Sequence, residues 1–223
     1  MKFIIFLLTF TLHVFALEAY KPDKEFASYF NPLNCSVVLD KFFYTNCYDY
    51  KLKGTKAIAY KIEASNLKEK QIKKRARFED DTNIPKKYRS TWSDYKNSGY
   101  TRGHIASNAS FRFSKAAQTS VFLMSNITPQ NAQINATVWN GIEQRERSLA
   151  FKFQSVEVLN LILYGKNPKF IKNGIAIPSS YIKIIKTPRF KECYEVPNND
   201  IQSEEINDYK ISCNKFLRAI NGN

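Results

Sequence analysis

The chain is 223 residues long and carries 34 lysines and arginines against 20 aspartates and glutamates, a formal charge of +14. A positive excess of that size attracts polyanions, whether nucleic acid, acidic polysaccharide or anionic lipid, without choosing among them. No apolar run after residue 16 approaches the roughly 20 residues of a membrane span, which excludes a membrane helix as the organising feature.

The first stretch, "MKFIIFLLTFTLHVFA", sets one lysine before an apolar run and places Val14 and Ala16 where a signal peptidase takes small residues. Residues 1–16 are therefore expected to be cleaved, giving a secreted or periplasmic protein without a membrane anchor. A single domain is expected over residues 17–223, and removal of His13 leaves His104 as its one histidine. In an exported chain Cys35, Cys47, Cys193 and Cys213 imply two disulfides. The local pairing, Cys35 with Cys47 and Cys193 with Cys213, is preferred among three. A four-cysteine zinc site is disfavoured because no C-x-x-C pair occurs.

In chain order, "LEAYKPDKEFASYFNP" reads as an irregular, partly helical lead-in. The segment 36–65 alternates bulky and polar residues on both sides of "YDYKLKGT", which predicts two antiparallel strands joined by a loop. A basic cluster, "KEKQIKKRAR" at 68–77, and a run rich in turn formers make a long surface excursion. "VFLMSNI", 121–127, predicts a buried strand ended by "TPQN". Val138, Ile142 and Leu149, with Trp139 and Glu146, recur at helical spacing and predict a helix over 132–150. "VEVLNLILYG" and "GIAIPSSYIKIIK" read as further strands, and "SEEINDYKISCNKFLRAI" as a terminal helix carrying Cys213. The sum is an α+β domain around a mostly antiparallel sheet flanked by helices.

Chemistry concentrates on "GYTRGHIASNASF", residues 99–111. His104 is the side chain whose unperturbed pKa lies nearest neutrality, Gly103 permits backbone geometry closed to other residues, and Arg102 adds a fixed cation. One histidine excludes zinc hydrolases that need two or three imidazoles. The chain also lacks the G-x-S-x-G elbow of serine hydrolases and the Gly-rich phosphate loop with its lysine. A histidine base working with a hard metal held by oxygen remains. Asn135, Glu143 and Arg147 lie on the expected helix. On one continuous helix Asn135 and Glu143 are about 80° and about 12 Å apart, so only one of them would touch a small ion directly. The other acts through water, as Mg²⁺ allows because it gives up its waters reluctantly. A surface ion pair between Glu143 and Arg147, four residues apart, is the alternative.

"SGYTRGHIASNASF" followed by "FLMSNITPQNAQINATVWNGIEQRERSL" resembles the DNA/RNA non-specific endonuclease family of the ββα-metal, or His-Me finger, group. Family signatures D-R-G-H, S-N-x-x-P-Q and an asparagine followed at four residues by tryptophan and at eight by glutamate recur in order, the first without its aspartate. Ser125, Asn126, Pro129 and Gln130 carry the second, and Asn135, Trp139 and Glu143 the third. The similarity runs from about residue 36 to 197. It implies an antiparallel core with a finger of two strands and the helix bearing Asn135. By the resemblance His104 is the general base, Asn135 the protein ligand of Mg²⁺, with Mn²⁺ a possible substitute, and Glu143 the orienter of metal-bound water. Arg147 then contacts phosphate, and Arg75, or second Arg77, matches the arginine upstream of an F-x-x-D element represented by Phe78 and Asp81. The products would be DNA and RNA fragments with 5′-phosphate ends. Two positions depart from the pattern: Thr101 replaces the aspartate before Arg102, and Ser107 stands where a proline is usual, a loop variation. An exported nucleic-acid-binding protein without turnover explains the charge equally well, but gives no reason to hold His104, Asn135 and Glu143 at these intervals.

Overall fold

A computed structural model of the chain describes residues 18–201 and 203–214; the expected leader, 1–16, lies outside them. A short helix, α1 (Lys24–Ala27), precedes strands β1 (Val37–Asp40), β2 (Tyr44–Asp49) and β3 (Gly54–Glu63), then α2 (Ala64–Lys68). After a long excursion come β4 (Thr101–His104), α3 (Lys115–Val121), β5 (Ile127–Gln130), α4 (Ala132–Ala136) and α5 (Val138–Phe153). The chain continues through β6 (Ser155–Leu163), β7 (Phe170–Ile171), β8 (Ile175–Ala176), β9 (Ser180–Lys186), β10 (Lys191–Pro197) and β11 (Lys210–Ile211).

Seven strands form one antiparallel sheet in the order β1-β2-β3-β6-β9-β10-β11. Its middle strands read as unbroken apolar runs because both faces are covered. Ile58, Tyr60, Ile62, Val156, Val158, Tyr181 and Ile185 face α5 and its Trp139, Ile142 and Leu149. Ala57, Ala59, Leu159, Leu161, Ile182 and Ile184 face the opposite way, toward Phe26 and the cysteines Cys35, Cys47 and Cys193. Lead-in residues Asp23 and Glu25 clamp that second face through ion pairs to Lys186 and Lys191. Both disulfides form as the spacing predicts, Cys35–Cys47 and Cys193–Cys213.

Several expected elements change. The segment 36–65 holds three strands, not two, because Phe42 adopts a left-handed backbone, φ 64°, and turns β1 back onto β2. The strand expected at 121–127 begins only at Ile127: Val121 ends α3, whose amide of Ala117 is capped by the Ser114 hydroxyl at 3.1 Å. The helix expected at 132–150 is two helices, because Thr137, at φ −115° and ψ −91°, leaves helical geometry. The expected terminal helix is, over residues 203–211, a single 3₁₀ turn followed by β11, which pairs with β10; the rest of that segment lies outside the described residues from 215 onward. Among the described residues no helix is long and apolar enough to cross a membrane.

Candidate active site

Strands β4 and β5 pair antiparallel, Thr101 opposite Gln130 and His104 opposite Ile127, and α4 follows at once. Its first turn is capped by the Asn131 side chain, which accepts from the amides of Gln133 and Ile134 at 2.9 and 3.3 Å. This two-strand and helix unit is stapled to the body by Asn126. Its Oδ1 accepts from the Ala106 amide at 2.8 Å, while its Nδ2 donates to the carbonyls of Ala106 and Val121. Strand separation also depends on Gly103. A Cβ there would lie 2.2 Å from Gln130 Oε1 and 2.6 Å from Gln130 Cβ. Gly103→Ala is therefore expected to cost about 1–3 kcal/mol by overpacking. Adding Gln130→Gly, which removes the colliding atoms, should recover part of it. Equal denaturant midpoints for Gly103→Ala and the parent chain would show that Gln130 can withdraw freely.

His104, next along β4, is buried against the edge of Phe122, 4.7 Å between ring centroids, and against Phe78 at 5.5 Å. Its backbone carbonyl accepts from Trp139 Nε1 at 3.2 Å, so the tryptophan in the asparagine–tryptophan–glutamate spacing pins the strand that carries the histidine. His104 Nε2 is buried with no hydrogen-bond partner. Burial first, and the nearby Arg75 charge second, push the imidazole pKa down to about 3. The ring is thus neutral at physiological pH.

Asn135 and Glu143 meet the same stretch of chain on either side of His104. Thr101 Oγ1 donates to the Gln130 carbonyl at 2.9 Å and accepts from Asn135 Nδ2 at 3.2 Å. The amide nitrogen is thereby occupied, which leaves Oδ1 as the free donor atom of Asn135. Beyond His104, Ser107 Oγ donates to Glu143 Oε2 at 2.7 Å. Ser107, expected to be a loop variation, is a buried site contact. Arg147 Nη1 lies 3.5 Å from both Ser107 Oγ and Ser110 Oγ. No Glu143–Arg147 ion pair forms among the described residues, because both side chains turn toward the serines instead of each other.

Behind them Ser110 Oγ donates to Glu146 Oε1 at 3.1 Å, and Glu146 Oε2 pairs with Lys183 Nζ at 2.8 Å, both side chains fully buried. Burial raises the Glu143 carboxyl above the ordinary carboxylate range, and the Lys183 charge opposes that rise. Among the arginines, Arg75 lies over Phe122 and Arg102 over Phe78, each guanidinium carbon 5.3 Å from the ring centroid. Both cations thus sit on rings that pack against His104. Arg77 is exposed and outside this cluster. Asp81 belongs to the scaffold: it is buried, pairs with Lys41 at 2.7 Å and accepts from Ser125 Oγ at 2.6 Å. The residues missed from sequence are Ser110, Phe122 and Lys183, while Ser107 stood out there only as a loop variation. A signal existed for Lys183, a lone charge inside the apolar run "YIKII", and for its partner Glu146 on the apolar face of α5.

A hard divalent cation suits these donors. Among the described residues no cluster of three or more His, Cys, Asp or Glu side chains could hold a metal. A single amide oxygen on Asn135, without a histidine or cysteine cluster, fits a hard ion that keeps most of its waters better than zinc.

A model of the DNA/RNA non-specific endonuclease family matches residues 22–222. Human mitochondrial endonuclease G is 30% identical over 153 residues, covering 64% of this chain and 52% of that protein. Mitochondrial nuclease EXOG of Xenopus laevis is 32% identical over 160 residues, 62% of this chain and 44% of that protein. The mitochondrial nuclease of Saccharomyces cerevisiae is 28% identical over 202 residues, 79% and 61%. The chain spans about half the length of the first of these relatives. A crystal structure of the EndoG/EndoGI complex, which concerns the mechanism of EndoG inhibition, shares the fold with a TM-score of 0.75 at 23% identity, covering 82% of this chain and 83% of that one. The mitochondrial names of these relatives overturn the expectation of a secreted or periplasmic protein. With its finger, its signature spacings and this match over nearly the whole sequence, the chain belongs to the DNA/RNA non-specific endonuclease family, as an α+β protein of ββα-metal type.

Proposed function

We propose that the chain is a metal-dependent endonuclease that hydrolyses phosphodiester bonds in DNA and RNA with little sequence preference. The observation that carries this reading is a buried, neutral His104 flanked in the chain by Thr101, which contacts Asn135, and by Ser107, which contacts Glu143, with cations on the rings around it. His104 takes a proton from a water that attacks phosphorus in line. Asn135 would hold magnesium, or manganese in its place, through its Oδ1, and the bound ion would supply positive charge to offset the negative charge that develops as the phosphodiester bond breaks. Glu143, held by Ser107, orients water beside that amide. Arg147 and Arg75 grip the phosphate, Arg102 adds charge at the strand, and Arg77 extends the basic surface. Cleavage leaves 5′-phosphate and 3′-hydroxyl ends. Contact with backbone instead of bases removes sequence preference and makes affinity fall with salt.

The test is incubation of the purified chain with supercoiled plasmid, single-stranded DNA and RNA, each with magnesium, with manganese and with chelator. Degradation of all three with either metal, and of none under chelation, is expected. Degradation that survives full chelation sinks the metal role, and binding without degradation favours the reading without turnover. From the names of its relatives the compartment is proposed to be mitochondrial. Cell fractionation with an antibody to the chain checks this, and recovery outside mitochondria rejects it.

A further inference from the structure

We propose that Trp92 is a stacking platform for an unpaired nucleobase beside the candidate active site; the location rests on the nuclease reading above. The indole is 55% exposed, whereas the other tryptophan, Trp139, is 1% exposed. Trp92 opens a 3₁₀ turn, Trp92–Tyr95, that is fixed from several directions. Asp94 Oδ2 accepts from the Thr91 amide at 2.7 Å and from its hydroxyl at 3.0 Å. Asn173 Nδ2 donates to the same carboxylate at 3.3 Å and to the Arg89 carbonyl at 3.2 Å. Tyr95, buried, donates its hydroxyl to the Ile127 carbonyl at 3.1 Å and so ties the turn to the strand opposite His104.

An exposed indole on a pre-ordered turn has its backbone entropy already spent, and among the described residues its ring stacks on no aromatic or cationic neighbour. Its backbone carbonyl accepts from Arg102 Nη1 at 3.4 Å. Arg102 lies over Phe78, and Phe78 packs on His104, so one line of contacts joins the platform to the base. Lys86, Lys87 and Lys96 are exposed near it in sequence, and among the described residues neither they nor Arg102 form an ion pair. The partner must therefore supply both negative charge and a flat π-face. Acidic polysaccharide and anionic lipid supply charge without the ring. A nucleic acid supplies both, but only where a base is free of its neighbours, since a duplex keeps its base faces stacked on each other. The ligand class is a single strand, a frayed end or an extruded base.

Binding is measured in chelator, so that strands stay intact, with an oligo-dT, an abasic oligonucleotide of the same length and a blunt duplex. Oligo-dT should quench tryptophan emission, while the abasic strand and the duplex should not. With labelled strands, Trp92→Ala should weaken oligo-dT binding by about 5- to 150-fold, the range of one base–aromatic stack. Abasic binding should be unchanged, and Trp92→Phe should retain most of the oligo-dT affinity. No quench by oligo-dT, unaltered oligo-dT affinity in Trp92→Ala, or equal losses on the dT and abasic strands would overturn the proposal. The two readings fail separately: a chain that shows the quench yet cuts nothing keeps the platform and loses the catalysis, and one that cuts without the quench does the reverse.

Discussion

Replacing His104 with alanine is expected to lower plasmid and RNA cleavage by about 10²–10⁴-fold, the usual contribution of a general base. The substitution removes the imidazole and little else. The contact that holds this strand to α5 runs from Trp139 Nε1 to the backbone carbonyl of residue 104, which alanine keeps. The Asn126 clamp on Ala106 and the Thr101 contact to Asn135 likewise involve other side chains. The fold should persist, as judged by circular dichroism and by the emission of buried Trp139. A small cavity between Phe78 and Phe122 is the expected structural cost. Cleavage within about tenfold of the parent chain, below the range a general base contributes, would remove His104 from the chemistry.

Lys183→Met should be strongly destabilising, costing about 3–5 kcal/mol because it strands a buried charge. Lys183 and Glu146 are each 0% exposed. The ammonium donates to Glu146 Oε2 at 2.8 Å and to the Tyr60 hydroxyl at 3.1 Å, and lies 4.6 Å from the centre of the Trp139 ring. Glu146 also accepts from Tyr60 at 2.9 Å and from Ser110 at 3.1 Å. With the cation gone, those neutral donors remain but no charge faces the carboxylate. Changing Glu146 to methionine in the same chain removes the stranded charge, so the double variant should regain much of the loss. Chemical denaturation of the parent, the two single variants and the double variant measures this coupling. If Lys183→Met alone costs less than about 1 kcal/mol, the pair is not the buried ionic contact described.

How much of this was legible in sequence varies by element. The core strands and α5 declare themselves through apolar periodicity, and the disulfides through short spacing in a chain with four cysteines. The finger did not: β4 is four residues, three of them Thr101, Arg102 and Gly103, with no apolar pattern, and only the resemblance implied it. β5 was placed too early because Val121, Phe122 and Met124 are buried by α3 and a 3₁₀ turn that mimic a strand's apolar run. In the site, His104, Asn135, Glu143 and Arg147 stood out by residue type and interval. Ser110 did not, since a serine in a polar loop has no periodicity to mark it, and Ser107 stood out only as a departure from a pattern, its contact to Glu143 unmarked. Thr101 was noticed as a departure from a pattern. Its meaning came only from geometry, in which one hydroxyl joins the Gln130 carbonyl to the Asn135 amide.

The break at Thr137 divides what a continuous helix would have made a single lever. A rigid helix turns every side chain together, about 100° per residue, so any strain at Asn135 would be passed to Glu143. Here Asn135 is fastened to the finger through Thr101, and α5 to the sheet through the Glu146–Lys183 pair. The amide and the carboxylate therefore answer to different parts of the molecule. Their alignment is set at the seam between finger and sheet, where Asn126 grips Ala106 by both its amide and its carbonyl.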